Sequence, residues 1–270
     1  MATENVLRPT TWAEVYAALF AETFNPRTAR FKSRFAYRGV SSAAYGLETS
    51  LMRLGGEYAK VEPHLIRQFR KYASRYVPEY HSFWYWLSLA QHHGLPTRLL
   101  DWTYSPDIAL HFATVNTRAY DRDGAIWKVN YKALHQQLPP VYRGLVEDQA
   151  TWILTLDLLE KMFVDMAGLD EAGHTKGDFF VFLEPPSVDQ RLFNQFAYFS
   201  IGSRPDLALD VWLRGHPDLW FKIVIPKELK WEIRDKLDQM NMSERTLFPD
   251  LDGLAQWLSR YYLPTGSAAK

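Results

Sequence analysis

Between Pro63 and Tyr76 the apolar residues Leu65, Ile66, Phe69, Tyr72 and Ala73 recur at a spacing near 3.6, which predicts a helix with one apolar face and basic residues opposite. Other segments carry terminal signals as well as periodicity. Thr11-Trp12-Ala13-Glu14 has the form of a capping box, in which a hydroxyl and a carboxylate satisfy the first free amides, and predicts a helix to about Phe24. A strongly aromatic helix is predicted over about Tyr80 to His93, ended by Gly94 in the left-handed conformation that glycine adopts cheaply. Ser105 as N-cap, Pro106 in the first turn and Asp107 as a first-turn acid start a helix that should reach about Thr117. Further helices are expected at about Gln149 to Met166, at Lys227 to Met240 with Leu229, Ile233, Leu237 and Met240 on one face, and at Leu251 to Tyr262.

Strand patterns differ in how much burial they imply. Ala125 to Tyr131 alternates apolar and polar residues as a half-buried strand does, whereas Phe179 to Leu183 and Phe221 to Ile225 are almost continuously apolar and read as buried strands. Phe193 to Ile201 is a further strand candidate. Arg34 to Val40 is a short aromatic strand closed by Gly39, with Arg38 near its end. The predicted class is therefore α+β, a single domain with a helix-rich N-terminal half and a mainly antiparallel sheet core. No repeat, low-complexity block or long linker divides it. The organisation expected is a helical lead-in over 1–33, one domain over 34–263 and a frayed small, polar tail over 264–270.

Composition narrows the chemistry. The 31 Lys and Arg against 31 Asp and Glu exclude a strongly basic nucleic-acid coat. Ten Trp, fifteen Tyr and sixteen Phe suffice both for a core and for a pocket that stacks a planar ligand. Zero cysteines exclude disulfides, thiolate metal sites and a cysteine nucleophile, and fit a reducing compartment. No apolar run approaches the roughly 18 residues of a membrane span, and Met1 to Pro9 lacks the apolar middle of a secretory signal, so a cytoplasmic protein without membrane contact is expected.

The densest polar cluster is Gln91-His92-His93-Gly94-Leu95-Pro96-Thr97-Arg98-Leu99-Leu100-Asp101-Trp102-Thr103, read as a loop between two buried helices. Its His, Thr, Arg and Asp side chains could transfer protons and clamp an anion. They could equally be structural, with Arg98 and Asp101 a buried ion pair and His92 or His93 capping the preceding helix. A metal site is not expected, because adjacent histidines point about 100° apart on a helix and no H-E-x-x-H spacing occurs. Gly168 to Thr175 approaches a Walker A pattern but has His174 where the lysine should stand, which reads as chance. Neither a G-x-S-x-G elbow nor a G-x-G-x-x-G fingerprint is present. In Arg38-Gly39, arginine offers a rigid fork for phosphate or carboxylate and glycine a place for close backbone approach.

Phe35-Ala36-Tyr37-Arg38-Gly39, Leu47 to Arg53, Gln91 to Trp102 with Ala109 to Ala113, Arg191 to Phe199, and Thr246-Leu247-Phe248-Pro249-Asp250-Leu251 resemble, in that order, the FRG domain family. The resemblance runs from about Arg34 to Leu258. Such domains have been likened to ADP-ribosyltransferases, so it implies that fold, with a split pocket for NAD as substrate and no metal. Carried over, Arg38 takes the role of the first-strand Arg or His, Thr97 (alternatively Thr103 or Ser105) that of the second-strand hydroxyl, and Gln195 that of the later Glu or Gln. Ala197 stands where family members often have glycine. The resemblance further implies that Arg38 clamps a ribose hydroxyl or the pyrophosphate, that Arg98 holds the other phosphate, and that Tyr37, Trp102 or Phe112 stacks nicotinamide. Gly39, His92, His93, Gly94 and Ser105 complete the expected NAD-binding set. Asp101 or Glu184 would supply negative charge to the developing cation. The acceptor would be a protein or RNA, the latter met through Arg67, Arg70, Lys71 and Arg75. The role implied is that of a toxin or phage-defence effector with a neutralising partner protein; the alternative is a non-catalytic module that binds a nucleotide or partner.

Overall fold

The computed structural model describes residues 5–77, 82–148, 152–186 and 194–263. In chain order these form β1 (Val6–Leu7), α1 (Trp12–Phe20), β2 (Phe24–Asn25), β3 (Arg30–Phe31), β4 (Phe35–Val40), α2 (Tyr58–Ala73), α3 (Phe83–His92), β5 (Leu100–Thr103) and α4 (Pro106–Thr114). There follow β6 (Gly124–Asn130), α5 (Tyr131–His135), α6 (Pro140–Asp148), α7 (Leu156–Met162), α8 (Met166–Lys176), β7 (Phe180–Leu183) and β8 (Ala197–Gly202). A short helix at Leu209–Leu213, β9 (Trp220–Ile225) and helices at Lys230–Gln239, Glu244–Leu247 and Leu251–Tyr261 close the chain. The arrangement is α+β and single-domain, as the hydrophobic pattern predicted. Helices run through the second half as well as the first. No helix among the described residues is long and apolar enough to cross a membrane.

Seven strands build the main sheet in the order β1-β9-β6-β4-β5-β8-β7, all antiparallel except β1 against β9. The N-terminal segment is built into this unit. Its β1 forms one sheet edge, and α1 buries Val15 and Leu19 against Phe35, Tyr37 and Ile126. Because strand side chains alternate, the register sorts the core by face. One face carries two separate apolar clusters, one of α1, α4 and the helix Lys230–Gln239 under β4, β6 and β9, the other of α3 and α6 to α8 against β7 and β8. The opposite face carries a third cluster through Ala36, Trp102, Trp127 and Phe182.

Pairing is unequal along the sheet. β4 and β6 match over six residues, but β4 and β5 share one register pair, Tyr37 with Thr103. On the face with two clusters, the gap between them therefore coincides with the weakest strand contact. That seam positions the site.

Several predictions need correction. The capping box forms, with Glu14 N donating to Thr11 Oγ1 at 3.3 Å, but α1 stops at Phe20 because Phe24–Asn25 pairs with Arg30–Phe31 in a hairpin. Helix α2 begins at Tyr58, so Pro63 lies inside it. The aromatic helix is seen from Phe83; its predicted start at Tyr80 lies outside the described residues. One helix over Gln149 to Met166 is not observed: residues 149–151 are outside the described set, Leu154 bridges Leu183 as strand, and Thr155 and Asp165 each cap a separate helix. β6 is buried along its whole length rather than half-buried, since both faces are covered. Lys128 tolerates this because its Nζ donates to the Ala18 and Ala21 carbonyls at the end of α1, at 3.1 and 2.6 Å. The Gly168–Thr175 segment lies within helix α8, not in a strand-to-helix phosphate loop. The predicted tail, 264–270, lies outside the described residues, as does Phe193 at the start of the predicted strand that became β8.

Gly39 has a structural reason distinct from ligand approach. A β-carbon there would sit 1.8 Å from the Ala109 carbonyl oxygen and 2.7 Å from Ala113 N, so glycine is what lets α4 lie directly on β4. Gly39→Ala should cost about 1–3 kcal/mol or more through overpacking. Urea unfolding would show this as a lower midpoint; an unchanged midpoint would mean that α4 can lift off β4 freely.

Candidate functional site

At the seam lies a cavity of about 620 Å3, lined on the β4 side by Tyr37, Arg38 and Gly39, on the β5 side by Asp101, Trp102 and Thr103, and at the end of β8 by Gln195, Ala197 and Phe199. Gln91, His92, His93 and Gly94 close it from the end of α3, and Phe112 of α4 adds an aromatic wall. Its size falls in the range of about 300–1,000 Å3 typical of small-molecule sites.

The segment expected to be a loop is only partly one. Gln91 and His92 finish α3, Gly94 turns the chain at φ +80°, and Leu100 onward becomes β5. Leu99, Leu100, Trp102 and Thr103 were enough for a central strand, which the polar neighbours concealed.

Arg38 spans the seam. Its neighbours Tyr37 and Gly39 face α1 and α4, so Arg38 leaves β4 from the other face, and its Nη1 donates to the Asp101 carbonyl at 2.6 Å. The same nitrogen lies 3.9 Å from Asp101 Oδ2. Nε is buried and finds no partner among the described residues. Burial lowers the Arg38 pKa from the ordinary guanidinium value, opposed by Asp101 and reinforced by Arg53. A partly compensated cation with an orphaned N–H is suited to receive an anionic or hydroxylated ligand. Beside it, Tyr37 is buried, with its hydroxyl donating to the Leu19 carbonyl at 3.1 Å, and burial pushes its pKa up to about 12.

Asp101 is the accessible carboxylate, its side chain 58% exposed. Gln91 Nε2 donates to both its oxygens at 3.0 Å, and Gln91 Oε1 in turn accepts from the Thr97 hydroxyl at 2.6 Å. Thr97 Oγ1 also accepts from Leu99 N at 3.1 Å. Thr97 is thus fully buried behind the cavity and fixes the orientation of Gln91; it does not line the cleft. Gln91 is the residue that sequence reasoning passed over as a ligand-facing group. Its signal was its position one turn before Gly94, where a helix ends and side chains reach past it.

Arg98 is not available to a ligand. It is buried, and its Nε donates to Glu62 at 2.8 Å and 2.9 Å while Nη1 and Nη2 reach Asp170. Burial would lower its pKa, but these two carboxylates outweigh that and raise it. The structural reading of this arginine was right in kind, but the partners are Glu62 of α2 and Asp170 of α8 rather than Asp101. Ser105 likewise serves α4, accepting from Ile108 N, and stands outside the cavity. Thr103 is the hydroxyl on the cavity wall, donating to the Gln195 carbonyl at 2.8 Å. Glu184 lines a separate hollow with Ser82 and Tyr85, so it does not join the cleft.

The third wall depends on the C-terminal helices. Asn194 Nδ2 donates to the Thr246 carbonyl at 2.9 Å and Gln195 Nε2 to the Leu247 carbonyl at 3.3 Å. Between them and β8, Phe196 takes φ +48°, a left-handed conformation costly for a bulky residue, while Ala197 sits in ordinary strand pairing with Thr103. The conformation that favours glycine thus falls one residue before the position where alanine replaces it.

Arg38, Asp101 and Gln195, with Tyr37, Gly39, His92, His93, Gly94 and Trp102, are therefore brought to one cavity, and Thr97, Arg98 and Ser105 are not. Residues 33–122 match the FRG domain. The FRG match spans β4 through α4, and so includes the first two walls of the cleft; the segments around Gln195 and Thr246 lie beyond it. No curated protein and no solved structure matches the chain.

Arg98→Ala would leave Glu62 buried with an uncompensated charge and should destabilise the protein by about 3–5 kcal/mol. Chemical denaturation measures it. A stability loss below about 1 kcal/mol, the scale of an exposed pair, would show that the triad is not structural.

Proposed function

We propose that the seam cleft binds NAD and transfers its ADP-ribose to a macromolecular acceptor, protein or RNA. One observation carries the reading: Arg38, Asp101 and Gln195, distant in sequence, line a single cavity where the sheet opens between β4 and β5. The cavity sets aromatic residues beside polar and charged groups that converge from three strands and a helix end, a lining that a dinucleotide with both rings and phosphates can use.

In this reading the bond between C1′ of the ribose and the nicotinamide nitrogen breaks, and its electron pair leaves with neutral nicotinamide. Positive charge then develops on C1′ and the ring oxygen, as in glycoside cleavage. Asp101, held by Gln91, is the carboxylate placed to stabilise that charge. The acceptor's lone pair forms the new bond to C1′, and its proton passes to Asp101 or to water. Arg38 binds a ribose hydroxyl or phosphate oxygen through the unpartnered Nε. Gln195 is neutral and can orient a ribose hydroxyl without stabilising the cation directly. Phe112 offers a surface for the nicotinamide ring, whereas the Trp102 ring, expected to stack there, is buried against Phe182 with its Nε1 donating to Ser200.

Incubation of the purified chain with labelled NAD and cell lysate, followed by chromatography, should show nicotinamide release. Arg38→Ala and Asp101→Asn should each lower the rate by roughly 100-fold or more, the usual cost of removing one electrostatic contact to the reacting centre. Absence of NAD binding by the parent protein in calorimetry would sink the proposal. Binding with no turnover in any lysate would instead favour a nucleotide-recognition module.

A further inference from the structure

A second hollow, of about 750 Å3, lies between α2, α3 and the start of α8. Its floor is apolar, with Ile66, Trp86 and Met166, and its wall on α2 carries Arg67, Arg70 and Lys71. The charge is segregated: residues 63–77 contain four Lys and Arg and no Asp or Glu, in a chain whose net charge is zero. Among the described residues none of these four cations forms an ion pair.

Aromatic rings accompany the charge. The Arg70 guanidinium lies 5.8 Å from the Trp86 ring centre on the floor. Outside the hollow itself, Lys71 of its wall lies 5.3 Å from the Tyr72 ring, and just past the end of α2 Arg75 lies 4.6 Å from the Tyr76 ring. Tyr72 and Tyr76 are 66% and 71% exposed, far more than structural tyrosines need to be. Cations tracking a groove beside accessible rings are what an unpaired strand requires, phosphates against the first and bases against the second. A duplex would offer stacked bases that these rings cannot reach.

One groove residue speaks to the sugar. Asp165 Oδ1 caps α8 by accepting from Gly168 N at 3.1 Å, while Oδ2 has no partner among the described residues and lies on the groove wall. A lone acceptor there suits a 2′-hydroxyl donor, which only RNA supplies. We propose that this groove binds single-stranded RNA, with Arg67, Arg70 and Lys71 on the phosphates and Tyr72 and Tyr76 on the bases. Helix α3 connects it to the cleft, since Trp86 and Gln91 are separated by about 7–8 Å along the axis. An RNA held in the groove would therefore stand beside the proposed transfer site; the binding itself does not rest on the NAD reading.

Fluorescence anisotropy of the full chain with a labelled 12-residue oligouridylate, in the absence of NAD, tests it. Raising salt from 50 to 200 mM should weaken binding by roughly 20–50-fold for three to four phosphate contacts. The triple variant Arg67→Ala, Arg70→Ala, Lys71→Ala should lose at least about tenfold in affinity and most of the salt dependence, and Tyr72→Ala with Tyr76→Ala about fivefold or more. Melting temperatures of both should stay close to the parent's, since Arg67, Lys71, Tyr72 and Tyr76 are exposed and only Arg70 is half-buried. No binding at 50 mM salt, undiminished binding by either variant, or equal binding of the deoxythymidylate 12-mer would overturn the proposal. Because NAD is absent, failure here leaves the cleft reading standing, and an inert cleft leaves this result unaffected.

Discussion

One register pair, Tyr37 with Thr103, joins β4 to β5, and the site exists because the ladder stops there. Strands paired along their length leave no room for a ligand between them. At this seam a side chain continues what the backbone does not: the Asp101 carbonyl accepts from Arg38 Nη1. The group that holds the two halves of the sheet together is thus the same group that faces the cavity. Any ligand competing for Arg38 acts on a strand junction, so binding and the local geometry of the sheet are one equilibrium.

Around that seam, charge is handled by two different means. Arg98 is fully enclosed and balanced by Glu62 and Asp170, which pins α2 and α8 to the segment leading into β5. Asp101, three residues later, has an exposed carboxylate that Gln91 and Arg38 restrain. Both residues belong to one short polar run, yet the first fixes the scaffold and the second remains available for chemistry. Thr97 belongs with the first group, since it sets the amide orientation of Gln91 from behind.

Much of this could be read from the chain, and the failures have physical causes. Terminal signals located the starts of α1 and α4 closely, because Thr11 and Ser105 each cap through their own side chain. Pattern reasoning failed where tertiary contact overrode it. Lys128 reads as a solvent-facing position but is buried under α1, and the stretch around Leu154 reads as helix but borrows a partner from β7. At the site, the meeting of Arg38, Asp101 and Gln195 at one cavity was legible from the motif order and a structural role for Arg98 was open, but the partners of Arg98 were not legible. Its partners come from two helices far away in sequence, and spacing alone suggested the nearer Asp101. Gly39 was legible as a close approach, but the approaching group is the α4 backbone.

The amide tethers from Asn194 and Gln195 to the carbonyls of Thr246 and Leu247 span about fifty residues. Their consequence is temporal. As the polypeptide is synthesised from its N-terminus, the strand carrying Arg38 and the one carrying Asp101 emerge well before the helices that support the opposite wall. The enclosure around the guanidinium and carboxylate therefore waits on the docking of those later helices.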